Sequence, residues 1–105
     1  MSFDYNVDRT KWAQLDIFSQ MGNIYSEVGR SFKSSGSDRE RAIVRAIDLF
    51  DATAESLVKT KSPKLKEVLR AKEEYLNLVT GNNQKQAQNS LDSYFMHFAI
   101  AARLH

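Results

Sequence analysis

The scarcity of helix breakers is what most limits how this chain can fold. Its 105 residues include one proline, Pro63, and only four glycines. Both residue types interrupt regular structure, so long stretches are left free to run as helices rather than as many short strands between turns. Four segments carry apolar residues at spacings of three and four, the repeat that gathers side chains on one helix face. The first spans about residues 8–32, with Asp8 placed to cap it and Leu15, Phe18, Gly22, Tyr25, Gly29 and Phe32 on one face. The loop Ser34-Ser35-Gly36-Ser37 ends it.

The second segment covers about 38–60, with Ile43, Ile47, Phe50, Ala54 and Leu57 as its stripe. Ser37 and Glu40 have the spacing of a capping box at its start. Ser62-Pro63 marks the next break, because proline suits a first helical turn and disfavours helix in the residue before it. The third segment, about 63–80, turns Leu65, Val68, Leu69, Leu76 and Val79 inward, and Gly81-Asn82-Asn83 stops it. The fourth, about 88–104, carries Leu91, Tyr94, Phe95, Phe98, Ala101 and Ala102. Short connections favour antiparallel neighbours. The expectation is therefore a single all-α domain over 1–105, an up-down-up-down antiparallel four-helix bundle.

Composition narrows the functional classes. There is no cysteine, which removes disulfides, thiolate metal sites and cysteine nucleophiles together. No apolar run reaches the roughly 18–20 residues of a membrane span, and the first residues lack the basic start and apolar stretch of a secretory signal. A cytoplasmic location with no membrane contact is expected. The two histidines, His97 and His105, do not follow a glutamate at the three-residue spacing used by di-metal bundles, so no metal is expected. Nucleophile motifs and phosphate-cradling glycine loops are also missing, and neither catalytic residues nor cofactors are expected.

Two polar groupings stand out. Asn23, Glu27 and Arg30 stack along one strip of the first helix, Arg45 and Asp48 are three apart on the second, and Glu67, Arg70 and Glu74 line up on the third. Each set contributes a few tenths of a kcal/mol as a surface pair, or the sets mesh into an inter-helix network that fixes register or lines a small polar pocket. The other grouping is a basic corner, Lys59, Lys61, Lys64, Lys66, Arg70 and Lys72, against Glu67 alone, in a chain whose net charge is only +2. Such a corner can contact phosphates, although no aromatic residues interleave with it as a base-stacking platform. Gly22 and Gly29 each cost a helix interior about 1 kcal/mol relative to alanine, so another helix backbone is expected to approach closely there, the alternative being a groove for a ligand or partner. Trp12, Phe3 and Tyr5 close one end of the bundle or form an apolar patch.

Three stretches, Gly22-Asn23-Ile24-Tyr25-Ser26-Glu27-Val28-Gly29-Arg30, Leu65-Lys66-Glu67-Val68-Leu69-Arg70-Ala71-Lys72-Glu73 and Tyr94-Phe95-Met96-His97-Phe98-Ala99-Ile100-Ala101-Ala102-Arg103, together resemble a family of short prokaryotic four-helix-bundle proteins with no established activity. The resemblance runs from about Trp12 to Arg103. It implies the bundle fold and places Asn23, Glu27, Arg30, Glu67, Arg70 and Arg103 in the common pattern. It implies nothing about a reaction.

The leading functional expectation is a non-enzymatic helical interaction module that binds a protein partner or a second copy of itself. The first alternative is RNA or other nucleic-acid binding through Lys59, Lys61, Lys64, Lys66 and Lys72. The second is a small-ligand binder or enzyme built on the Asn23, Glu27, Arg30, Asp48, Glu67, Arg70 and Arg103 cluster.

Overall fold

The structure, a computed structural model, describes residues 7–81. These form four helices, α1 (Arg9–Ala13), α2 (Ile17–Lys33), α3 (Gly36–Lys59) and α4 (Leu65–Val79), with no strand among the described residues. The expected helix over 88–104 lies outside them, as does Arg103.

The single helix expected over 8–32 is two helices. Asp8 caps the first as its sequence position suggested, accepting from the amides of Thr10 and Lys11 at 3.0 and 3.2 Å. The break comes from a second cap in mid-segment: Asp16 accepts from the Ser19 amide at 2.7 Å and starts α2 afresh. The side chain of Gln20, buried despite its polarity, donates to the carbonyls of Trp12 and Leu15 at 3.0 and 3.1 Å. It thereby adds a side-chain donor to the carbonyls at the end of α1, where the Trp12 oxygen also accepts from the Leu15 amide at 3.1 Å.

Three side chains tie α1 to α3. Trp12 Nε1 donates to the buried Thr53 Oγ1 at 2.9 Å. Arg9 Nη1 lies 2.9 Å from both carboxylate oxygens of Asp48, and Arg9 Nε donates to Glu55 at 3.0 Å. Asp48 also accepts from the Val7 amide at 2.7 Å.

The third segment boundary moves as well. α3 begins at Gly36, whose φ of +59° suits a residue without Cβ. Ser37 and Glu40 therefore lie inside the first turns, and no side chain caps the helix from Ser35, so the expected capping box is not formed. At its other end α3 closes with paired backbone bonds, Ser62 N–H to Leu57 O at 2.9 Å and Lys61 N–H to Val58 O at 3.1 Å, around Lys61 at φ +53°. The Ser62 hydroxyl accepts from the Lys64 amide at 3.2 Å, and α4 starts at Leu65, two residues after Pro63.

α3 packs against each of the other three helices. It is consequently buried more widely than one stripe allows: Ala42, Ala46, Leu49, Phe50, Ala52, Thr53 and Leu57 are all inside. α4 contributes Val68, Ala71, Tyr75 and Leu78, again at spacings of three and four. Leu69, expected inside, stands about 100° round the helix from Val68 and is 46% exposed. α2 shows the same one-position displacement. Its buried edge is Gln20, Met21, Ile24, Val28 and Ser31, not the Gly22–Tyr25–Gly29–Phe32 stripe the sequence offered. Phe18 is half-buried and packs on the core, whereas Leu15 is exposed.

Cross-contacts fix which ends meet. Lys64, just before α4, sits over the Phe18 ring near the start of α2, its Nζ 5.7 Å from the centroid. Towards the other end, the Tyr75 hydroxyl donates to Ser31 Oγ at 2.8 Å, and Ser31 Oγ donates to the Val28 carbonyl at 2.6 Å. The Tyr75 ring packs between Phe32 and Phe50, at 6.1 and 6.0 Å between centroids.

Candidate functional site

The displaced stripe on α2 is the most unusual surface among the described residues. Gly22, Tyr25, Gly29 and Phe32 follow one another at spacings of three, four and three, so they share a face beside the buried edge. Tyr25 is 49% exposed and Phe32 40%. A Cβ built on Gly22 or on Gly29 would meet nothing within 4 Å, so the close helix approach expected at these glycines is not found among the described residues. Ser26 lies beside the strip, its hydroxyl satisfied by donating to the Gly22 carbonyl at 3.2 Å. The result is a helix face on which two half-exposed aromatics alternate with two glycines that no other described residue approaches within 4 Å. Phe32 is held on its inner side by the Tyr75 ring.

The polar residues singled out in the sequence fall into three separate places. Asn23 donates to the Ser19 carbonyl of its own helix at 2.9 Å. Glu27 and Arg30 pair within α2 at 3.2 Å, with Arg30 largely exposed. The second oxygen of Glu27 is buried and has no hydrogen-bond partner among the described residues. Asp48 belongs instead to the set of Arg9 and Glu55 that fastens α1. Glu67 and Arg70 line a groove of about 410 Å³ along α4, together with Lys66, Leu69 and Glu73. Arg103 lies outside the described residues.

Sequence reasoning missed the buried polar chain of Tyr75, Ser31 and the Val28 carbonyl. Tyr75 shares the period of Val68, Ala71 and Leu78, which was a signal for it; Ser31 had none, because its partner is on another helix. Burial pushes the Tyr75 hydroxyl above its ordinary pKa of 10.0; the Ser31 bond and the Arg39 charge pull it back, and Glu27 adds to the rise. For Arg9, burial lowers the pKa, but hydrogen bonds to Glu55 and Asp48 and their charges more than reverse this, and the net direction is upward.

The basic corner is less basic in place than in sequence. Lys72 Nζ meets Asp51 at 2.6 Å. Lys64 is half-buried over Phe18. Lys66 shares its groove with Glu67 and Glu73. Lys59 and Lys61 are exposed at the end of α3. Among the described residues, no group of three acidic, histidine or cysteine side chains is arranged to hold a metal ion, and no helix is long and apolar enough to cross a membrane. No family model, curated protein or solved structure matches this chain.

Proposed function

We propose that this chain is a non-enzymatic helical interaction module whose working surface is the Gly22–Tyr25–Gly29–Phe32 face of α2. The observation that carries this reading is the pair of half-exposed aromatic side chains alternating with glycines that meet nothing within 4 Å among the described residues. Aromatics on a rigid helix supply contact area at little entropic cost, and glycine lets a partner's backbone come close. The proposal includes a cytoplasmic location and membership of the short prokaryotic bundle family that the sequence resembles.

The same proposal includes an up-down-up-down bundle, completed by a helix over about 88–104. Its support is the pairing of ends: the start of α2 meets the start of α4, and Trp12, ahead of α2, meets Thr53 late in α3. These contacts suit alternating directions for α2, α3 and α4.

The test places a photoreactive benzoylphenylalanine at position 32, and in a control at Val58, which is also exposed, and irradiates the protein in its own cells. A protein adduct at position 32 and none at 58 is expected. Equal labelling at both positions, or none, would sink the reading.

A second reading rests on the α4 groove, where Lys66, Glu67, Arg70 and Glu73 set two charges of each sign round Leu69. That arrangement suits a small zwitterionic ligand. Its test is a Glu67→Gln, Arg70→Gln variant: unchanged binding in an amino-acid screen, or no binding by either protein, removes it.

A further inference from the structure

The break between α1 and α2 is made by side chains and not by a residue that resists the helix. We infer that it is a hinge: released from α3, α1 straightens into an N-terminal continuation of α2. No glycine or proline stands between Asp8 and Met21. The spacing of three and four runs across the break, from Trp12 through Leu15 and Phe18 to Gly22. A continuous helix would bond the Trp12 carbonyl to the Asp16 amide and the Leu15 carbonyl to the Ser19 amide. Here the Ser19 amide donates to Asp16 Oδ1 at 2.7 Å instead. Gln20 Nε2 donates to both carbonyls, at 3.0 and 3.1 Å. Two side chains thus stand in for backbone partners that the straight helix would supply itself.

Local sequence and tertiary contact therefore pull residues 9–16 in opposite directions. The bent form is held from α3, by Trp12 Nε1 on Thr53, Arg9 on Asp48 and Glu55, and the Val7 amide on Asp48. The Glu55 side chain is 56% exposed, so its pair with Arg9 is a weak one in water. Away from α3, a helix of five residues does not recover the cost of its own nucleus. As an extension of α2 the same residues need no new nucleus and gain a backbone bond each. α1 has two ordered forms, docked and straight, and a separate free helix is not one of them. Opening uncovers Thr53, which is fully buried under the docked form. It also brings Trp12 and Leu15 into line with Phe18, Gly22 and Tyr25, which lengthens the docking face of α2. That consequence rests on the reading of the face given above; the hinge does not.

Two substitutions at one position separate straightening from loss of the cap. Asp16→Ala and Asp16→Pro both remove the carboxylate, but only alanine lets a helix run through. Proline lacks the amide, and its ring would meet the Trp12 carbonyl. It does suit the bent form, in which residue 16 has a φ of −71°. Each is combined with Asp48→Ala, which releases Arg9 and the Val7 amide. The full chain has no cysteine, so spin labels on Thr10→Cys and Arg45→Cys report where α1 lies against α3.

With alanine the label distance should lengthen by about 10 Å, the seven-residue rise that carries Thr10 beyond Ile17. The far-ultraviolet helical ellipticity should deepen with it. With proline neither change should appear. An unchanged distance in the alanine variant overturns the hinge. So does a longer distance without deeper ellipticity, because α1 has then melted and not straightened, and so does equal lengthening with proline. None of these readouts involves a partner. The hinge can fail while the docking reading stands, and a missing photoadduct at position 32 can remove that reading while the hinge stands.

Discussion

At the scale of single residues, the buried hydroxyls set the strongest expectation. Tyr75 is fully buried, and its hydroxyl is the donor in the only polar link described between α2 and α4 that lies inside the core. Its folded pKa is raised above 10.0 mainly by burial. Above pH 10 the unfolded chain releases this proton while the folded chain keeps it, so the folded state binds more protons and stability falls as pH rises towards the folded value. Below pH 10 the contribution is intact. Tyr75→Phe should cost about 1 kcal/mol at pH 8 through the lost bond to Ser31, yet lose stability less steeply above pH 10. Urea titrations of both proteins between pH 8 and 11 would check this, and parallel curves would refute it. None of this was legible in the sequence beyond Tyr75's place in a periodic stripe. The partner, Ser31, is 44 residues away, and local spacing carries no information about which stripes meet.

Among the elements, α1 and the end of α3 are the places where local chemistry decides the structure. α1 has only five residues, too few to be stable alone, and depends on its ties to α3. Asp48→Ala removes the acceptor for both Arg9 and the Val7 amide in a partly buried site, and should lower stability by roughly 1–3 kcal/mol in chemical denaturation. A loss indistinguishable from that of a surface substitution would show that the tether is not holding. α3 ends with Lys61 in the left-handed conformation, where a side chain costs about 1 kcal/mol and glycine does not. Lys61→Gly should therefore raise the melting temperature, a gain of about 1 kcal/mol. Helix existence was readable from periodicity at this scale, and the Asp8 cap was too. The break at Asp16 was hidden because an aspartate inside an amphipathic run reads as a surface residue until its cap is seen. The buried edge of α2 was displaced because glycine and aromatic residues share the spacing of a core stripe without being in it, and that of α4 because Leu65, Leu69 and Leu76 make an apolar edge beside the buried Val68, Ala71, Tyr75 and Leu78. Only the neighbours on α3 distinguish Ile24 and Val28 from Tyr25 and Gly29.

Across the whole molecule, α3 is the hub, and the helix proposed over 88–104 carries the largest expected effect on stability. Phe98 is the centre of the apolar stripe expected over 88–104. If that stripe joins the core, Phe98→Ala should cost roughly 3–5 kcal/mol and lower the denaturant slope. A cost below about 0.5 kcal/mol would take the segment out of the bundle. The candidate site was legible in part. The sequence marked the glycine–aromatic strip and placed it inside; the structure leaves it half outside, which is why it reads as a surface for another molecule. The polar cluster was legible as residues but not as a site, because Glu27, Asp48 and Glu67 answer to three different neighbours.

The chain has a single tryptophan, and it sits on the α1–α3 seam with its indole bonded to Thr53. Its fluorescence therefore watches one short latch rather than the body of the protein. A red shift in emission would register α1 swinging free while the circular-dichroism signal of the longer helices still stood. An experimenter who took that colour change for denaturation would be timing the opening of a door and recording it as the fall of the house.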